Sequence, residues 1–116
     1  MNLQIIGTRK CSETRKAQRF FSERGIRFAF VDLTERPLSR GELANIARAV
    51  GEERMVDTEG RRYAERNMRY MVFDTLEELE RDPLLLKTPV VRNGREATVG
   101  PAEAEWKRWI DRDRPC

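Results

Sequence analysis

The sequence predicts an α/β protein: a four-stranded mixed sheet assembled as β-α-β and then β-β-α, with a helical insertion between strands two and three. Leu3-Gln4-Ile5-Ile6 and Phe28-Ala29-Phe30-Val31-Asp32-Leu33 are runs of strand length flanking a stretch of helical periodicity. Thr88 to Val99 forms two further strand patterns around Asn93-Gly94. Between the two halves, from Ser39 to Leu86, apolar residues recur mainly at helical spacing.

Each element follows from local chemistry. Gly7 stops the first strand. After the polar loop Thr8-Arg9-Lys10, Ala17, Phe20 and Phe21 give residues 12–24 one apolar face, and Gly25 serves as a C-cap glycine. A helical crossover makes the strand within residues 28–33 parallel to the first. Ser39 and Glu42 form a capping-box signature ahead of Leu43, Ile46, Ala47 and Val50, with Gly51 as the stop. Asp57-Thr58-Glu59-Gly60 predicts a turn, Tyr63 to Tyr70 a short helix, and Thr75 with Glu78 a second capping box. Asp82-Pro83 opens a turn into Leu84-Leu85-Leu86. Asn93-Gly94 suits the two positive-φ positions of a type I′ hairpin turn. Pro101 belongs in the first turn of the last helix, which offers Ala102, Trp106, Trp109 and Ile110 to the sheet.

With 116 residues the chain fits one domain, taken as 1–111 with the insertion over about 39–86 and a frayed tail at 112–116. No apolar run approaches the roughly 20 residues of a membrane helix, and the first residues lack a leader pattern, so the cytoplasm is the expected location. The 23 basic residues are interleaved with 20 acidic ones, so nucleic acid is not the expected partner. Histidine is absent, which removes His general bases, Cys-His pairs and most zinc sites; no metal centre is expected. Two cysteines, Cys11 and Cys116, leave thiol chemistry as the available chemistry.

Cys11 falls at a strand-to-helix junction, where free N–H groups and the helix dipole favour a thiolate. Arg9, Lys10, Arg15 and Lys16 surround it, with Glu13 the single nearby acid, so its pKa is expected to fall. The donors over residues 11–15 equally suit a small oxyanion. The alternative is an inert, buried cysteine, although its neighbours are charged rather than apolar. Pro89 opens the hairpin either as a cis-proline beside the substrate or as an ordinary trans-proline. Cys116 is either a resolving thiol or incidental. Trp106 and Trp109 are expected in the core. Arg61, Arg62 and Arg95 are either anion ligands or solvated charges.

The pattern resembles the arsenate reductase (ArsC)/Spx-like family over nearly the whole chain. Cys11-Ser12-Glu13-Thr14-Arg15-Lys16-Ala17 is similar to that family's active-site start, with arginine four residues after the cysteine. Val31-Asp32-Leu33 with Pro37 to Leu43, and Leu84 to Val91 with Val99-Gly100, resemble its second strand, insertion entry and hairpin. The resemblance implies a thioredoxin-like fold and a thiol-dependent oxidoreductase with Cys11 as monothiol nucleophile. It implies Ser12, Thr14, Arg15, Thr88 and Pro89 around the anion or substrate, no bound cofactor, and glutathione or glutaredoxin as the reducing partner. Thr88-Pro89 stands where the family usually has Arg-Pro, and Asp57 where it carries a further arginine, which argues against arsenate itself. Thr14 replaces the second cysteine of the Cys-x-x-Cys switch common among Spx-type regulators. The alternative the resemblance implies is an Spx-like regulatory module without turnover, binding a protein such as RNA polymerase.

Overall fold

The computed structural model describes residues 1–113. In chain order the elements are β1 (Leu3–Gly7), α1 (Ser12–Glu23), β2 (Ala29–Asp32), α2 (Arg40–Val50), α3 (Arg61–Glu65), α4 (Thr75–Arg81), β3 (Val90–Asn93), β4 (Glu96–Val99) and α5 (Glu103–Asp113). Single 3-10 turns fill 52–54, 68–70 and 83–85. The sheet order is β2-β1-β3-β4. Ile5 pairs with Phe30 in the parallel ladder and with Val91 in the antiparallel one, so β1 lies inside the sheet. The predicted architecture, βαβ followed by ββα with inserted helices, is the one observed.

Side chains alternate across a strand, so the sheet has two apolar faces. Leu3, Ile5 and Val91 pack with Ala17, Phe20 and Phe21 of α1 and with Trp106, Trp109 and Ile110 of α5. Trp106 anchors that layer: it is buried beside Phe20 and Phe21 and donates from Nε1 to Thr98 Oγ1 at 2.8 Å. On the other face, Ile6, Val31, Val90 and Val99 meet Leu43, Ile46 and Val50 of α2, with Met55, Met68, Leu79 and Leu85 of the insertion behind them.

The helix ends follow the sequence closely. Gly25 takes φ +68°, and the N–H groups of Gly25 and Ile26 reach the carbonyls of Ser22 and Phe21, closing α1 with a Schellman motif. The capping box of α2 is complete, with Ser39 and Glu42 each accepting from the other's N–H.

Elsewhere the details shift. Asp74, not Thr75, caps α4, accepting from Glu77 N, because its carboxylate outcompetes the next residue's hydroxyl for that donor. The helix expected over 63–70 divides into α3 and a 3-10 turn at Asn67, which sits at φ 54°. In the hairpin, Asn93 pairs with Glu96, so the loop is Gly94-Arg95 with the positive φ at Gly94 alone. That is the type II′ arrangement rather than I′. Asn93 is held back in the strand by donating to Asp113 Oδ2 at 2.9 Å. Pro101 precedes α5 instead of entering it; the Ala102 carbonyl accepts the first helical bond, from Trp106 N. Arg112 and Asp113, expected in a frayed tail, are helical, and Arg112 also pairs with Glu96 of β4. The rest of that tail, Arg114 to Cys116, lies outside the described residues.

Candidate functional site

β1 delivers the chain to Thr8-Arg9-Lys10, and α1 begins at Ser12, so Cys11 is the N-cap residue, with φ −76° and ψ 116°. Such a position leaves first-turn N–H groups unpaired within the helix. The close fit of β1 against α1 depends on Gly7. A Cβ there would sit 2.7 Å from Thr14 Cγ2 and closer still to Oγ1, so no larger residue fits without moving the helix start. Gly7 thus does more than stop the first strand: it makes room for Thr14.

Thr14 is fully buried beneath the thiol, and Oγ1 has no partner at full hydrogen-bond geometry. From the far half of the chain, Thr88 Oγ1 donates to Cys11 Sγ at 3.1 Å, and the Thr88 carbonyl oxygen lies 4.0 Å from the same sulfur. The Thr88-Pro89 peptide is cis, which resolves the choice left open by the sequence. Pro89 itself is buried, its carbonyl accepting from Gly100 N at 2.8 Å.

The Cys11 thiol is half-buried, and desolvation pushes its pKa up; the hydroxyls of Thr14 and Thr88 and the N–H groups of Thr14 and Glu13 outweigh that and hold it below the ordinary thiol value. The expected direction is correct, but the cause is different. Lys16 is paired with Glu13 at 3.2 Å, and Arg9 turns to Asp32 at 3.6 Å. Hydroxyls and amides, rather than neighbouring cations, favour the thiolate. The family resemblance implies Thr88 as a substrate contact; its bond to the sulfur has no local signal, because the two positions lie 77 residues apart.

The other expected site residues separate. Ser12 is exposed at the start of α1. Arg15 is exposed too and spends one N–H on the Arg9 carbonyl, at 2.8 Å, bracing the loop before the cysteine. Beside that loop lies a cleft of about 490 Å³ lined by Thr8, Arg9, Lys10, Asp32, Thr34, Glu35 and Leu84. Asp32 Oδ1 accepts there from the Thr34 hydroxyl at 2.7 Å and the Thr34 N–H at 2.9 Å, which with Arg9 hold its carboxyl below the usual range. Asp57 lines a separate cleft with Lys87. Arg62 is committed to Asp82 at 2.7 Å. Among the described residues no group of His, Cys, Asp or Glu could hold a metal, and no helix is long and apolar enough to cross a membrane.

This arrangement can stabilise a thiolate and present it at a helix N-terminus, which is the geometry of thiol exchange. No family model matches the chain. An ArsC-family-related protein from Bacteroides fragilis superposes with a TM-score of 0.82 at 22% identity, covering 93% of this chain and 97% of that one. The chain has an arsenate reductase-like, thioredoxin-type fold. The arsenate reductase of Vibrio cholerae shares this arsenate reductase-like fold at a TM-score of 0.75 and 21% identity, covering 85% and 89% of the two chains. By sequence, the global transcriptional regulator Spx 2 of Oceanobacillus iheyensis is 28% identical over 97% of this chain and 86% of its own length.

Proposed function

We propose that this protein is a cytoplasmic monothiol oxidoreductase in which Cys11 exchanges with disulfides and glutathione, free or through a glutaredoxin, resolves the product. The observation that carries this reading is the hydrogen bond from Thr88 Oγ1 to Cys11 Sγ at 3.1 Å. It stabilises the charged form that attacks and asks nothing of a second cysteine. Ser12, Arg15 and the first-turn amides provide donors for an anionic substrate group, Thr14 supports the sulfur from below, and Thr88-Pro89 forms the opposite wall.

The balanced cycle is short. The Cys11 thiolate attacks one sulfur of R–S–S–R′, the S–S bond breaks, and R′S⁻ leaves while Cys11–S–S–R forms. A glutathione thiolate then attacks R's sulfur, restoring the Cys11 thiolate and releasing R–S–S–glutathione. One thiol has been freed and one glutathione oxidised. Arsenate fits this site poorly: threonine stands where a guanidinium would bind the oxyanion, and neither Asp57 nor Arg62 is arranged to replace it.

The deciding experiment measures glutathione-dependent reduction of a mixed disulfide by the wild type, Cys11→Ser and Cys116→Ser, with arsenate as a parallel substrate. Expected are turnover in the wild type, none in Cys11→Ser, near-full activity in Cys116→Ser and none on arsenate. A wild type without disulfide turnover overturns the enzyme reading. The 28% identity to a transcriptional regulator favours a second reading, a regulatory module that binds a protein partner. It predicts that Cys11→Ser keeps partner capture and cellular role intact.

A further inference from the structure

A second cleft, at the opposite end of the sheet from Cys11, has a different chemistry. β1 runs toward the cysteine and β3 runs away from it, so Thr88 marks the thiol end and the Asn93-Gly94 turn the far end. There, Asn45, Arg48 and Ala49 of α2 face Arg92, Gly94 and Arg95 of the hairpin across a cleft of about 520 Å³. Three of those residues are arginines and none is acidic. Among the described residues, Arg92 and Arg95 have no carboxylate or other side-chain partner, and Arg48 bonds only the side-chain oxygen of Asn45.

Acids near this end of the sheet are engaged elsewhere: Asp113, which accepts from Asn93, is held by Arg112. Arg95 also borders an adjoining cleft whose lining includes Arg54, Glu96 and Glu105. Glu96 is held by Arg112 at 2.6 Å and 3.2 Å, and Glu105 is paired with Arg108. Nearly equal numbers of cations and anions would allow these guanidiniums to be neutralised. Instead, like charges converge on a concave surface, which concentrates a positive potential there.

From this convergence we propose that the α2–hairpin cleft binds a phosphoryl ligand, with Arg48, Arg92 and Arg95 as its donors. Guanidinium forks match phosphate oxygens bidentately. The volume is that of a small-molecule site, about 300–1,000 Å³. An acidic peptide is the weaker occupant, because the lining holds no large apolar side chain to receive an anchor residue.

Titration with inorganic pyrophosphate at fixed ionic strength, followed by calorimetry and amide chemical shifts, tests the site. Saturable 1:1 binding is expected, with shifts centred on residues 45–49 and 92–95. Arg92→Gln with Arg95→Gln should weaken it about tenfold or more, whereas the charge-matched control Arg19→Gln with Arg27→Gln leaves it within about twofold. Arg48→Lys, which keeps charge but not the fork, should give an intermediate loss. A competing DNA duplex separates the sources of phosphate: displacement of pyrophosphate assigns the cleft to a polynucleotide backbone, and no displacement to a free phosphorylated metabolite. Absence of saturable binding, equal loss in the control variant, or preference for a polyglutamate peptide over pyrophosphate overturns the proposal.

Discussion

Two hydroxyls converge on one sulfur: Thr14 from beneath and Thr88 from across the fold. Thr88→Val keeps the shape and removes a donor, so the Cys11 pKa should rise toward its ordinary value. Alkylation by iodoacetamide at pH 6.5 should slow roughly three- to tenfold, with Thr88→Ser near the wild type. The same coupling ties stability to pH. Because the folded thiol has the lower pKa, the unfolded chain binds more protons between the two values, so stability rises with pH across that window. The contribution is complete above the unfolded value and lost as pH falls through the folded one. Denaturant melts of wild type and Cys11→Ser should therefore diverge as pH increases toward about 9, the wild type gaining. A parallel pair of curves would rule out the coupling. Cys11 was legible from the sequence because its junction is local: a strand run, a polar loop and an apolar helical face in succession. The donors to its sulfur were not, since a threonine buried at a helix start looks like any other threonine until the strand beneath it is placed.

The capping box of α2 also binds Arg36, whose guanidinium donates to both Glu42 oxygens at 3.0 Å. That pairing, together with the Ser39 N–H, lowers the Glu42 pKa to about 2. Ser39→Ala should cost about 1 kcal/mol in denaturant unfolding. Glu42's contribution is present above its unfolded pKa and disappears as pH falls toward 2, so the difference between wild type and Glu42→Gln should vanish in acid. At this scale the sequence was informative wherever one residue type does one job, as Gly25, Ser39 and Gly51 do at helix ends. It misled where two neighbours compete. Asp74 took the cap assigned to Thr75, and the Asn93 side chain was claimed by Asp113, which moved the hairpin loop one residue onward.

Across the whole molecule, Asp82 joins parts of the insertion that are distant in sequence. It is 7% exposed and accepts from Arg62 at 2.7 Å and Arg66 at 3.2 Å, while Arg66 also reaches Glu78 at 2.7 Å. Both arginines retain access to water, so Asp82→Ala should destabilise by about 1–2 kcal/mol rather than by the full cost of breaking a buried pair. Hydrogen exchange should accelerate first over 61–86 and leave β1 protected; uniform loss would contradict that placement. The sheet order was readable because a crossover helix and a tight hairpin restrict the topology. Contacts such as Arg66 to Asp82 were not, because a chain with 23 basic residues offers too many equivalent partners.

The bond between Thr88 and Cys11 makes nucleophilicity a late event in the life of the chain. During synthesis the cysteine emerges long before its donor, and until β3 has docked against β1 the sulfur lacks the Thr88 hydroxyl that helps ionise it. An incomplete or locally melted chain therefore carries a quieter thiol, guarded against premature oxidation by the absence of its own second half.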